Sequence, residues 1–361
     1  MSWTVDSLTY SHRKKITIDN TKVDAALSDF PVLVYLNADA QIGAVSNADG
    51  FDIRFTSSDG ETLLKYEREN FAIASNQATA NFWVKIPSVS SSADTEFYIY
   101  YRNADTADGA DPANVWDSNF VAVHHLVGAN KDALDDSTSN NNDVTAEGGT
   151  PGYNTDAKIG KGVELDGVNE FVTIPDSDSL DVTSALTMEI LVESDVVNTN
   201  DSLINKFWDG GKRAYAMHRE NDEIRIVMGD PNGGAGTGFV NFITTDLDLL
   251  ANTWYHIVLR WSATGGTGRI YKNGVVSAQT FSKSNNIGTN SQVLNIGYET
   301  GAGTGTTYLD GIIDEVRISN TERSVAWIKA TYNSNFNTLL SLGSEEGPVA
   351  TRRRAAFMKF F

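Results

Sequence analysis

Cysteine is absent from the 361 residues, which excludes disulfide staples, thiolate nucleophiles and zinc–thiolate sites. The oxidising or reducing character of the compartment stays open. Long apolar runs are also missing. FPVLVYL is cut off by Asn37 and Asp39, far short of the roughly 18 residues that cross a bilayer as a helix. The opening MSWTVDSLTYSHRKKITI has no apolar stretch after a basic one, so no secretory signal is expected. Basic residues are scarce as well: 28 against 47 acidic leave a net charge of −19. Such a chain repels phosphate backbones, and nucleic-acid partners are excluded as a first reading. The same acidity suits divalent cations.

Packing material is plentiful, with 40% hydrophobic and 21% charged residues. A chain of this length is expected to form two domains. Up to residue 105, the segments KKITI, FPVLVYL, FDIRFTS, NFWVKIP and EFYIYYR are rich in β-branched and aromatic residues. Turn formers such as Asp19-Asn20, Asp49-Gly50 and Asp59-Gly60 separate them. The pattern predicts antiparallel strands, economically folded as a sandwich. A small, polar stretch with Pro112 follows, placing a boundary near residue 115. Beyond it, VELDGVNEFVTI, LTMEILVE, EIRIVMG, WYHIVLRWS, GRIYKNG and GIIDEVRIS recur at the spacing of an all-β domain. Asp166-Gly167 and Lys272-Asn273-Gly274 predict hairpin turns. One short helix is expected from Ser324 to Tyr332 as a lid on a sheet edge, capped by Asn320 or Thr321. The expected organisation is a small sandwich over 1–115, a larger one over 116–343, and a tail over 344–361.

The blocks RKKITIDN (Arg13 to Asn20), LSDFPVLVYL (Leu27 to Leu36) and DGFDIRFTSSDGETLLKYERE (Asp49 to Glu69) resemble domain of unknown function 2341. That module is often attached to bacterial and archaeal surface proteins, and no known activity comes with it. The second part carries HHLVGANKDALDDSTSNNND, IGKGVELDGVNEFVTIPDSDSLDVTSALTMEILV and YLDGIIDEVRIS. It resembles the laminin-G-like, concanavalin-A-like superfamily. The resemblance implies a two-sheet jelly roll that commonly holds one calcium ion and frequently binds glycans. The expected fold class is thus all-β, two sandwiches with a short basic and aromatic tail.

The resemblance also implies that an Asp opening the DDSTSNNND loop meets an Asp in the late DEV strand. Here these are Asp136 and Asp314, with Asn142 nearby to complete a calcium shell. Oxygen-rich side chains also fill ordinary surface turns, which accounts for the loop's composition equally well. It does not account for a carboxylate among Ile312, Ile313 and Ile318, where a buried acid needs a partner or a cation. Glu315 is expected to face solvent. His124 and His125 are adjacent strand residues pointing to opposite faces, so joint chelation of one ion is disfavoured.

Jelly-roll glucanases place ExDxxE on one strand, and that spacing is missing; ENDEIR puts Arg225 where the second glutamate belongs. GxSxG and HExxH are missing too. The chain is therefore expected not to be an enzyme. Trp208 in NKFWDGGKR and Tyr298 in GYETGAGTGTTY are the candidate sugar-stacking rings. Trp254 and Trp261 lie in an alternating strand and are expected to pack. In the tail, Arg352, Arg353 and Arg354 could pair with carboxylates while Phe357, Phe360 and Phe361 fill an apolar groove, anchoring the chain to a neighbouring subunit. The expected function is a non-catalytic, surface-exposed glycan-binding or adhesive protein, extracellular or on a virion as a tail, decoration or receptor-binding part. Its expected partner is a cell-surface glycan or a neighbouring subunit, with homo-oligomers allowed. The alternative is a purely structural assembly block.

Overall fold

Strand His12–Ile18 alternates buried and half-buried residues along its whole length, the period that puts every second side chain under a sheet. It pairs with Thr95–Tyr101 on one edge and with Leu340–Glu346 on the other. Arg54–Ser57 completes this four-stranded sheet beside Thr95–Tyr101. Leu27–Asp39, Gln77–Val89 and Tyr66–Ala74 form a second, three-stranded sheet. Phe30, Phe55, Phe82 and Ile99 are among the residues that close the core of this first sandwich. This architecture is that of a computed structural model, which describes residues 2–102, 107–197, 199–207, 213–232, 238–301 and 305–347.

The second sandwich has two larger antiparallel sheets. One runs Gly152–Asp156, Lys161–Asp166, Asp310–Ser319, Ala185–Ser194, Tyr255–Ser262, Thr267–Lys272, Val275–Ser282, with Phe120–His124 also paired to Asp310–Ser319. The other runs Ala146–Gly148, Phe171–Ile174, Leu294–Ile296, Asn200–Asn205, Tyr215–Glu220, Glu223–Gly229, Phe239–Ile243. Their inner faces enclose a core of Leu, Ile, Val and Met with Trp261, whose indole N–H donates to the Lys283 carbonyl. The all-β, two-sandwich fold is as the sequence implies.

Several local expectations change. Asn273 and Gly274 make a two-residue turn with positive φ at both positions, as expected. Asp166-Gly167, in contrast, is not a hairpin. The strands on either side of it belong to different sheets, and Asp166 Oδ1 accepts the Val168 and Asn169 N–H groups to turn the chain between layers. The helix is Val325–Asn335, capped by Ser324 Oγ on Trp327 N–H rather than by Asn320 or Thr321. It packs on the first sandwich: Trp327 meets Phe30 edge-on, and Ser334 Oγ accepts the Leu33 N–H.

The expected boundaries at 115 and 343 cut through shared structure. Val115 and Trp116 are buried in the core of the first sandwich together with Phe120, Val123, Ile159 and Leu191. A cut at 343 falls inside the strand Leu340–Glu346, which pairs with the opening sheet. The polar connection is tied down by Asp108 on Arg68 at 2.7 and 2.6 Å, Asp111 on Lys65 at 2.7 Å, and Asp117 on Arg323 at 2.6 and 2.7 Å. Residues from 348 onward, including Arg352, Arg353, Arg354, Phe357, Phe360 and Phe361, lie outside the described residues, as does Trp208.

Candidate functional site

Where the sandwiches meet, they leave an open cleft of about 540 Å³. Strands Tyr66–Ala74 and Gln77–Val89 supply Asn70, Phe71, Thr79 and Asn81, and Leu27–Asp39 supplies Tyr35. The opposite wall comes from the loop Asp156 to Lys161 and from the end of the helix, Asn335 to Asn337. Tyr35, Phe71 and Phe336 are half-buried, so part of each ring remains open to solvent. Gly50, with φ of +68°, lies so close to Phe71 that a Cβ there would stand 2.7 Å from the ring, and the glycine lets the backbone support it. Lys158 Nζ sits 4.1 Å over the Phe336 ring. Aromatic rings interleaved with amides, a lysine and a carboxylate make a lining that can stack on a ring and bond to hydroxyls.

Behind the cleft floor lies a buried charge cluster that the sequence reading did not find. Its origin is an interruption in strand Asp310–Ser319. On one edge that strand pairs with Lys161–Asp166 up to Ile313 and with Phe120–His124 from Val316 onward. On the other edge the register with Ala185–Ser194 slips at the same place, and Glu315 takes φ of +52°. Within the interruption, Asp314 Oδ2 accepts the Ile159 N–H at 2.7 Å, and Glu315 Oε1 lies 2.6 Å from His125 Nδ1. The other Glu315 oxygen pairs with Arg317.

The first sandwich adds two more carboxylates. Glu67 accepts the Trp116 indole N–H at 2.8 Å and the Ser137 hydroxyl at 2.6 Å, with His125 Nε2 at 3.2 Å. Glu69 accepts the Trp83 indole N–H at 2.9 Å and the Asn81 amide at 3.1 Å, with His125 Nδ1 at 3.7 Å. His125 stacks on Trp83, and the Arg317 guanidinium stands 4.3 Å over the same ring. Burial pushes the Glu69 carboxyl up to about 8, the His125 charge opposing and Glu315 reinforcing the rise. Asp314 is likewise raised, by burial and then by Glu315 and Glu69. Burial alone would push His125 down, but Glu315 and Glu67 overcome it and hold the imidazole well above its ordinary value.

The calcium set implied by family likeness fares differently. Asp136 spends both oxygens on its own surroundings: Oδ1 accepts from Val123 N–H at 2.9 Å and Thr138 N–H at 3.0 Å, and Oδ2 from Thr138 Oγ1 at 2.8 Å and Asn142 N–H at 2.9 Å. The Asn142 amide donates to the Val121 carbonyl and Ser179 Oγ. These contacts anchor the loop on the edge of Phe120–His124 away from Asp314, so this donor set does not fit a calcium shell. Asp314 is fully buried, as its strand context implied, but Glu315, expected in solvent, is buried too. Tyr298 lies on a strand, not a loop, and stacks on Phe171 at 4.2 Å and Tyr308 at 5.0 Å, so its faces are largely taken by rings. Glu67 and Glu69 stood in the YERE segment; two carboxylates at alternate positions, sharing one face of a strand that is mostly only half-buried, were the available signal.

Matches to two family models agree with this architecture. Residues 166–329 match the family described as the concanavalin A-like lectin/glucanases superfamily. The second sandwich is a concanavalin A-like domain. Residues 49–143 match domain of unknown function 2341, a stretch that runs past residue 115 to take in Trp116, His125 and the Asp136 loop. Similar solved structures include the binding domain of Paraclostridial Mosquitocidal Protein 1, at 17% identity and a TM-score of 0.48 over 61% of this chain and 53% of that one. The botulinum neurotoxin serotype D binding domain is another, at 13% identity and a TM-score of 0.46 over 60% and 51%. The chain thus spans about half the length of each. A search of curated proteins returned no match. Among the described residues, no helix is long and apolar enough to cross a membrane.

Proposed function

We propose that the protein is a non-catalytic glycan-binding protein of the adhesive kind, and that it holds a sugar in the cleft between its concanavalin A-like domain and its first sandwich. The observation that carries this reading is the lining of that cleft, with the half-open rings of Tyr35, Phe71 and Phe336 beside the amides of Asn70, Asn335 and Asn337. Ring faces supply the apolar stacking surface of a pyranose, and amides supply donors and acceptors for its hydroxyls. The acidic body favours neutral or basic sugars over anionic ones. Such a protein works where glycans are displayed, outside cells or on the surface of a particle.

A glycan array probed with the full chain, followed by titration of the best ligand, tests this directly. Tyr35→Ala is expected to weaken binding about tenfold or more at an unchanged fold, the worth of one stacking ring. A folded protein that binds nothing on the array but self-associates with concentration would overturn the reading in favour of an assembly block. Equal binding by Tyr35→Ala would remove the sugar from this cleft.

A further inference from the structure

Glu69, His125 and Glu315 come from three distant segments, yet one ligand atom from each lies within 4.8 Å of the other two. All three side chains are buried, at 1%, 7% and 0% exposure. Beside them, Asp314 Oδ1 is a buried carboxylate oxygen without a hydrogen-bond partner among the described residues, on a side chain that is fully buried. The charges do not balance. Four carboxylates (Glu67, Glu69, Asp314 and Glu315) stand against at most three cations, Arg317, His125 when protonated and Lys158 beside Asp314, so full ionisation leaves a negative excess. Uncompensated charge in such a place is costly, and the fold must neutralise it with protons or with a cation.

We infer that a divalent cation of the zinc type binds between Glu69, His125 and Glu315 and braces the two sandwiches against each other. The donor chemistry selects the ion. One imidazole nitrogen with carboxylate oxygens suits zinc and its first-row neighbours, whereas calcium takes oxygens alone. Outer contacts that would orient the ligands are already in place: the Trp83 indole N–H on Glu69 Oε2, and Arg317 on Glu315. The backbone is committed as well, since Glu315 and Leu126, the residue after His125, both hold positive φ, at +52° and +57°. Conformations that cost energy persist where the surroundings over-determine them, and they gather at binding sites. Loading the ion displaces the proton that His125 Nδ1 shares with Glu315 Oε1. The route in is the cleft. The Asn70 and Asn81 amides stand between it and Glu69, and Gly160 lies over them so closely that a Cβ would come within 2.6 Å of both amide nitrogens.

The test uses the full chain stripped with chelator and titrated with zinc chloride, read by elemental analysis after desalting and by Tm. One equivalent of zinc per chain is expected, with a Tm rise of about 5 °C when zinc is about a hundredfold above its Kd. Glu69→Gln and Glu315→Gln, which keep shape and remove charge, are expected to lose both effects. X-ray absorption of the zinc-loaded wild type provides a readout that does not depend on the variants folding: a nitrogen and oxygen shell with a single imidazole supports the site. Folded wild type that keeps no zinc and melts at the same temperature with and without it would overturn the inference, leaving protons as the neutralising charge. So would a Tm rise with calcium and none with zinc, or a zinc shell without imidazole.

Discussion

The inside of the concanavalin A-like sandwich and the junction beside it are both buried, and they are built on opposite principles. Inside the sandwich, Leu186, Met188, Ile190, Ile257, Leu259, Ile270 and Ile318 meet with no charge among them, and stability there follows the apolar area removed from water. At the junction, Trp83, Trp116 and Val123 share the space with Glu67, Glu69, His125, Glu315 and Arg317. Ion pairs of that kind seldom improve on a well-packed apolar core, because desolvation cancels much of the Coulomb attraction. The junction has therefore kept its charges at a cost that the neighbouring core avoids, which is the pattern of a place that binds something or fixes a unique docking geometry.

Breaking the network at its permanent cation gives the largest expected difference between the two regions. Arg317→Met removes a charge that cannot be neutralised and leaves Glu315 and Glu67 facing His125 alone; a loss of about 3–5 kcal/mol in urea denaturation is expected. A loss below about 1 kcal/mol would mean that the charges are solvated and the junction is loose. A smaller effect follows from pH, measured in chelator so that protons are the only titrant. Glu69 is raised to about 8 and His125 is raised above its ordinary value, so between the unfolded and folded values the native chain binds more protons than the unfolded one. Both contributions are fully present at low pH and are lost as pH rises, for Glu69 from about 4.5 to about 8 and for His125 above about 6.5. The melting temperature of wild type should accordingly fall on going from pH 6 to pH 9, and Glu69→Gln should flatten that fall. A substitution inside the apolar core, such as Leu259→Ala, should lower Tm equally at both pH values.

The same contrast explains what could be read in the chain beforehand. Strands such as WYHIVLRWS and EFYIYYR announce themselves because alternation is a local property, and the two-residue turn at Asn273-Gly274 needs only its own two residues. The Asp166-Gly167 turn misled because its chemistry specifies a reversal and says nothing of whether the returning strand pairs in the same sheet. The charge cluster depends on Glu69, His125 and Glu315 meeting across 246 positions, and on a bulge at Glu315 that no periodicity encodes. The cleft is less legible still, since Tyr35, Lys158 and Phe336 become neighbours only once Leu340–Glu346 has returned to the first sheet. Asp136 shows the opposite error. Its loop has the composition of an ion site, and local N–H donors consume it.

Cleft and cluster both exist only while the two sandwiches are docked, so the two must fold as one unit. Scanning calorimetry of the full chain beside a 116–343 fragment tests it most directly. A single cooperative transition is expected for the full chain, with a fragment that melts at a markedly lower temperature, or does not fold, because it lacks Glu67, Glu69 and Trp83. Two resolved transitions, the upper one coinciding with that of the isolated fragment, would contradict it.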